Sequence, residues 1–158
     1  MAQDFTIKLN EEDMARLNSI LQGLSELEKS AVIDKGLKDA TAVLIAEGKR
    51  TLKQSLSKDP VNVAKRTGRL ERSFTNRIRK KKLAGYAGFK RPEGAPAHLV
   101  EAGTADRFTK SGAYRGKMTP TRFWKRAIDS KENQAIETLF DSVERTMEQI
   151  VTNGGRVS

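Results

Sequence analysis

The sequence predicts an α+β protein: a small, mostly antiparallel β-sheet packed against two long amphipathic helices, with a long projecting loop. Three observations predict it. Apolar residues recur at three- and four-residue steps along 33–56 and again along 136–150, as they do on one face of an amphipathic helix. The opening Phe5-Thr6-Ile7-Lys8-Leu9 alternates apolar with polar, the period-2 pattern of a half-buried strand. Between the two helical segments lies a basic stretch with strand character, broken by Gly and Pro.

The elements follow in order. After the first strand, Asn10 is placed to cap a short helix whose first turn holds Glu11, Glu12 and Asp13, favoured there by the helix dipole. Met14, Leu17, Leu21 and Leu24 form its apolar stripe, and Gly23 marks its end. Ser25-Glu26-Leu27-Glu28 fits a capping box, so a long helix should follow. Its stripe is Ile33, Leu37, Ala40, Leu44, Gly48, Leu52 and Leu56, and Asp59-Pro60 stops it, because proline disfavours helix in the residue before it. Thr67 is placed to cap a short turn of helix in which Leu70 and Phe74 share a face. Residues 75–83 predict a basic strand, with Gly85 and Gly88 in the strand or turn that follows, the two running antiparallel. PAHLVEAGT, residues 96–104, predicts a small-residue corner, and 105–119 a loop too long and polar for a simple connection. Phe123 opens the second long helix, with Ile136, Leu139, Phe140, Val143, Met147 and Ile150 as its stripe. Residues 1–152 are expected to form a single domain and 153–158 a frayed, flexible tail.

Composition limits the function classes. Apolar residues are 37% against 32% charged, so the core is modest and neighbours would shelter it. The chain lacks cysteine and has one histidine, which leaves neither a disulfide frame nor a ready metal site, and no cofactor is expected. No run approaches the ~20 apolar residues of a membrane span. The polar, acidic start is unlike a secretory signal, so a soluble chain made in the cytoplasm, with no membrane partner, is expected. Net charge is +10, unevenly spread: residues 49–126 hold 22 Lys/Arg against 5 Asp/Glu, and the flanking segments are both net negative. A basic middle between acidic ends points to a polyanion near one face, or to a solvated basic surface.

His98 with Glu101 is the one pairing with catalytic chemistry in reach. An acid–base dyad needs further groups and a pocket, and nothing assembles around it: no GxSxG elbow, no phosphate-binding glycine loop, no GxGxxG after a strand. A surface or packing pair is the better account, and no enzyme activity is expected. In the basic strand, Arg77, Arg79 and Lys81 should line one face and Ile78, Lys80 and Lys82 the other. Such a row suits backbone phosphates, but no aromatic interleaves it, which argues against a stacking platform for single strands. No motif for reading bases is visible, so any contact with nucleic acid would be electrostatic and blind to sequence.

Three stretches carry a resemblance: Thr67-Gly68-Arg69-Leu70, the segment 97–104, and PTRFWKRA, residues 120–127, leading into the last helix. In this order and spacing the chain resembles the neck, or tail-completion, proteins of long-tailed bacteriophages (the gene-ten-like family), over about residues 25–150. That family has a TGxL turn after a long helix, a β-hairpin, an AHLVEFGT-like segment, a variable loop and an ARPFLRPA-like entry into a final helix. The chain departs from it at Ala102, where an aromatic is usual, and at Thr121-Arg122-Phe123-Trp124, in place of Arg-Pro-Phe-Leu. The tail-completion proteins of contractile-tailed phages are a second structural reading, ranked lower because they carry a YAxxHQFG-like segment here.

The resemblance implies a non-catalytic virion protein forming a cyclic ring, sixfold, at the junction of head and tail. Its partners would be further copies of itself, the head connector or stopper, and tail-terminator or tail-tube proteins, with weak contact to the genomic double-stranded DNA. Arg77, Arg79, Lys80, Lys81, Lys82, Lys90 and Arg91 are then the residues expected to face the DNA channel. Arg107, Phe108, Tyr114, Arg115, Lys117, Met118 and Glu101 are those expected at the subunit interface, with the loop as an arm against a neighbour. Within PAHLVEAGT, Glu101 is expected to take a charge-assisted bond from Arg107 or Arg122, with His98 partly exposed. The reading from another class is a small, basic, sequence-nonspecific nucleic-acid-binding protein.

Overall fold

A computed structural model describes residues 5–7, 9–57, 68–79, 84–91, 94, 97–103, 105–106, 108–114 and 120–152; the side chains of 56, 57, 69, 98 and 99 fall outside that description. The chain is α+β, a three-stranded antiparallel sheet with two long helices against it. In chain order it runs β1 (Phe5–Ile7), α1 (Glu11–Ile20), α2 (Glu26–Ser57), α3 (Arg69–Arg72), β2 (Phe74–Arg79), β3 (Ala84–Phe89), α4 (Ala97–Ala102) and α5 (Phe123–Thr152). The strand order is β1-β3-β2, so β3 is central. Phe5 pairs with Ala87, Thr6 with Tyr86 and Ile7 with Gly85.

The helix starts follow from local chemistry. The Asp13 N–H donates to Asn10 Oδ1 at 2.7 Å, which fixes the start of α1. That helix ends at Ile20, capped by Leu21, and Gly23 lies in the turn beyond it with φ +90°. The capping box at α2 is formed in both directions: Glu28 N–H donates to Ser25 Oγ at 3.2 Å, and Ser25 N–H to Glu28 Oε1 at 3.3 Å. At α3 the cap position is held by Gly68, at φ +76°, while Thr67 lies outside the described residues.

The contacts divide the chain into two units. In one (Phe5–Leu44, Asn76–Ala87, Lys131–Ser158), the first part of α2 lies on the sheet. A Cβ on Gly85 would sit 3.0 Å from Thr41 Cγ2 and 3.5 Å from Leu37 Cδ2, so glycine lets helix and strand approach a few tenths of an ångström closer than a larger residue would. Asn76 Nδ2 donates to Thr41 Oγ1 at 3.0 Å from the same side of β2. On the other side of α2, Gly36 meets Val143 and Leu139 of α5, and Ser142 Oγ donates to Asp39 Oδ2 at 2.6 Å. Val32, Leu37, Ala40 and Leu44 are buried with Leu139, Phe140 and Val143.

The other unit (Met1–Asp4, Ile45–Thr75, Gly88–Ser130) is organised by four aromatic rings. Phe74 and Phe89 have centroids 4.6 Å apart, and each lies within 6.4 Å of both Phe123 and Trp124 in edge or tilted geometry. Gly48 of α2 fits beneath them: a Cβ there would come within 2.6 Å of Trp124 and 2.7 Å of Phe74. Thr51 Oγ1 donates to the Phe123 carbonyl at 2.9 Å and ties α2 to the start of α5.

Candidate functional site

Most of the stretch expected to be a small-residue corner is a helix. Residues Ala97–Ala102 form α4, and Gly103 follows with φ +73°, a conformation that suits glycine after a helix end. Ala97 and Val100 point inward, while Ala102 is exposed. Among the described residues, Arg122 does not supply the expected guanidinium, and the partners of Glu101 are backbone groups. Its carboxylate accepts from the Trp124 N–H at 2.9 Å and the Lys125 N–H at 3.1 Å, capping the first turn of α5. The Arg122 backbone N–H donates to the Glu101 carbonyl at 3.1 Å, and Thr121 donates through N–H and Oγ1 to the Val100 carbonyl at 3.1 and 2.7 Å. Arg122 itself holds φ +52° to make this turn. Arg107, the other expected partner, and the side chain of His98 lie outside the described residues.

Through these bonds the stretches that carried the resemblance meet in one junction. Arg72 N–H donates to the Gly68 carbonyl at 3.0 Å in the α3 turn, and Phe74 joins the ring cluster with Phe123 and Trp124. The Lys90 N–H donates to the Ser73 carbonyl at 2.6 Å, the Gly94 N–H to the Lys90 carbonyl at 2.8 Å, and the Ala97 N–H to the Gly94 carbonyl at 3.0 Å. A chain of backbone bonds therefore links the end of α3 to the start of α4.

The outward face of the sheet carries the described part of the cationic row. Gly85, Ile78 and Asn76 turn toward α2, so Tyr86, Arg77 and Arg79 turn away. The two guanidinium carbons lie 5.2 and 5.7 Å from the Tyr86 ring centroid, within the range of a cation–π contact. Among the described residues no carboxylate pairs with either guanidinium. This corrects the expectation that no aromatic accompanies the row: Tyr86 supplies one from the neighbouring strand, a relation hidden in the linear sequence. With two cations over it, that ring is engaged within the chain. Lys90 and Arg91 are exposed beyond the end of β3; Lys80, Lys81 and Lys82 lie outside the described residues.

The expected arm is described at its tip. Phe108 and Tyr114 pair as an isolated antiparallel bridge, closed by Thr109 N–H to the Ala113 carbonyl at 2.8 Å and Gly112 N–H to the Thr109 carbonyl at 2.9 Å. Their rings lie 5.6 Å apart, at 63% and 62% exposure, so a large apolar pair is held in water by a formed turn. Tyr114 donates its hydroxyl to Asp106 Oδ1 at 3.1 Å. Arg107, Arg115, Lys117 and Met118 lie outside the described residues.

Elsewhere, the hydrogen bond and charge of Glu47 raise the Arg50 guanidinium further above its ordinary value, which leaves its charge unchanged at any ordinary pH. No helix among the described residues is long and apolar enough to cross a membrane, and none of their His, Asp and Glu side chains cluster as a metal site would require. No protein-family model, curated protein or solved structure matches the chain.

Proposed function

We propose that the chain is a non-catalytic structural subunit of the bacteriophage neck, forming a ring that joins the portal or connector to the tail around the DNA channel. The observation that carries the reading is the junction itself. The TGRL turn, the AHLVEAGT segment and the entry to the last helix are far apart in sequence, yet backbone bonds run from Leu70 through Ser73, Lys90 and Gly94 to Ala97, and Glu101 holds the backbone of Arg122, Trp124 and Lys125.

Two further features support the reading. The exposed Phe108–Tyr114 pair fits an arm that is covered only when a neighbour is present. The charge excess of residues 49–126, with Lys90 and Arg91 exposed, fits weak, sliding contact with duplex DNA.

Negative-stain imaging of the purified chain, alone and with its portal-side partner, tests the proposal. Closed rings with a central opening are expected; persistent monomers that never join the connector would count against it. The second reading, a sequence-nonspecific nucleic-acid-binding protein, draws on the Arg77–Tyr86–Arg79 face. It requires duplex binding that survives physiological salt, whereas a neck ring requires contact that salt readily weakens.

A further inference from the structure

Two surfaces of one unit carry opposite charge, and their spacing matches. The first is the outward sheet face, where Arg77 and Arg79 are alternate residues of β2, about 6.6–6.8 Å apart along the strand. The second is the outer face of α5. Glu137, Asp141, Glu144 and Glu148 follow one another at steps of four, three and four, and all are exposed, so they form one stripe. Carboxylates four residues apart on that stripe advance about 6 Å along the axis, close to the step between the two arginines.

Folding alone does not call for such a stripe, because like charges at these spacings repel. Arg16 pairs with the stripe at 3.9 Å from Glu144, both side chains about half exposed, a contact that solvent screens; Arg145 lies exposed on the flank. DNA does not account for the stripe either, since four surface carboxylates repel phosphate. Both surfaces are exposed in the chain, so neither neutralises the other internally.

We propose that the outward face of β2 and β3 binds the acidic stripe of α5 on a second copy of this chain. The guanidiniums already lie within cation–π range of Tyr86, so pairing with carboxylates costs less side-chain freedom than for free arginines. Because two different surfaces meet, the contact is head-to-tail, and repetition closes a ring or extends a filament. Closure into a ring rests on the neck reading; the contact itself does not. Arg77 and Arg79 are thereby assigned to assembly, and contact with DNA is left to the other cations.

Sedimentation at low salt with paired charge reversals tests this. Arg77→Glu with Arg79→Glu, and separately Glu137→Lys with Asp141→Lys and Glu148→Lys, should each weaken self-association by about tenfold or more. An equimolar mixture of the two variants should regain association, because each supplies the surface the other has lost. Unchanged thermal unfolding of each variant shows that the fold is intact, and recovery in the mixture is itself a readout that misfolded chains would not give. Association of either variant at wild-type strength, a mixture that stays monomeric, or a wild-type chain monomeric at all concentrations would overturn the proposal. So would loss of duplex-DNA retardation in the arginine variant with self-association intact, which would make DNA the occupant. If the reversals have no effect yet the chain is found in a neck ring, the neck reading stands and this contact falls. If they behave as expected but the chain is absent from the particle, the converse holds.

Discussion

Glu101 is where single-residue chemistry matters most. In the sequence it reads as a surface or packing neighbour of His98 and as a partner for arginine, since a carboxylate near cations invites an ion pair. Its oxygens instead take the two backbone N–H groups that open α5, groups with no partner inside the helix. The bond crosses 23 residues of sequence, so no local rule reveals it. Glu101→Ala should lower stability by about 1–2 kcal/mol, read as a reduced urea midpoint, with Glu101→Gln costing less because one acceptor oxygen remains. Equal stability of all three proteins would remove Glu101 from the cap. Tyr86 was missed for a related reason: the period of its strand places it on the outward face, but only pairing of β3 beside β2 puts it under Arg77 and Arg79.

At the scale of elements, helix starts were the most legible features, because a cap is a local bond. Asn10 and the Ser25–Glu28 box both act as their spacing predicts. Ser25→Ala should therefore cost about 1 kcal/mol of stability, measured by thermal or urea unfolding; no change would mean that packing alone fixes the start of α2. The interior of the long helices was legible in period but not in width. Ile136 and Met147 are only half-buried, whereas Ser142 and Thr146 are buried, their hydroxyls satisfied by Asp39 and by the Ser142 carbonyl. Those partners turn polar residues into core residues, and one of them is 103 positions away. Strand limits were less legible. The expected strand over 75–83 begins one residue earlier, at Phe74, and is β2 as far as Arg79, with 80–83 outside the described residues; of the strand or turn expected around Gly85 and Gly88, the structure has the strand, and at the centre of the sheet. Glycine reads as a breaker in sequence, yet at Gly85 it brings α2 closer to the sheet.

At the scale of the whole molecule, the α+β class and both long helices were visible in the sequence, because hydrophobic period and capping agree there. The junction that gathers the resemblance motifs was not, since it is made by contacts between distant segments. A modest core, an exposed aromatic pair and unevenly distributed charge are awkward in an isolated chain and understandable in a subunit that neighbours surround. The acidic stripe of α5 and the arginine face of the sheet add a reason for copies to meet head to tail. The central claim is that this chain encircles the path of the genome where head meets tail. Its most direct measurement is a cryo-electron-microscopy reconstruction of the particle that contains the chain. The account predicts a closed ring of copies on the axis between portal and tail; density for the chain away from that axis, or a particle complete without it, would contradict the account.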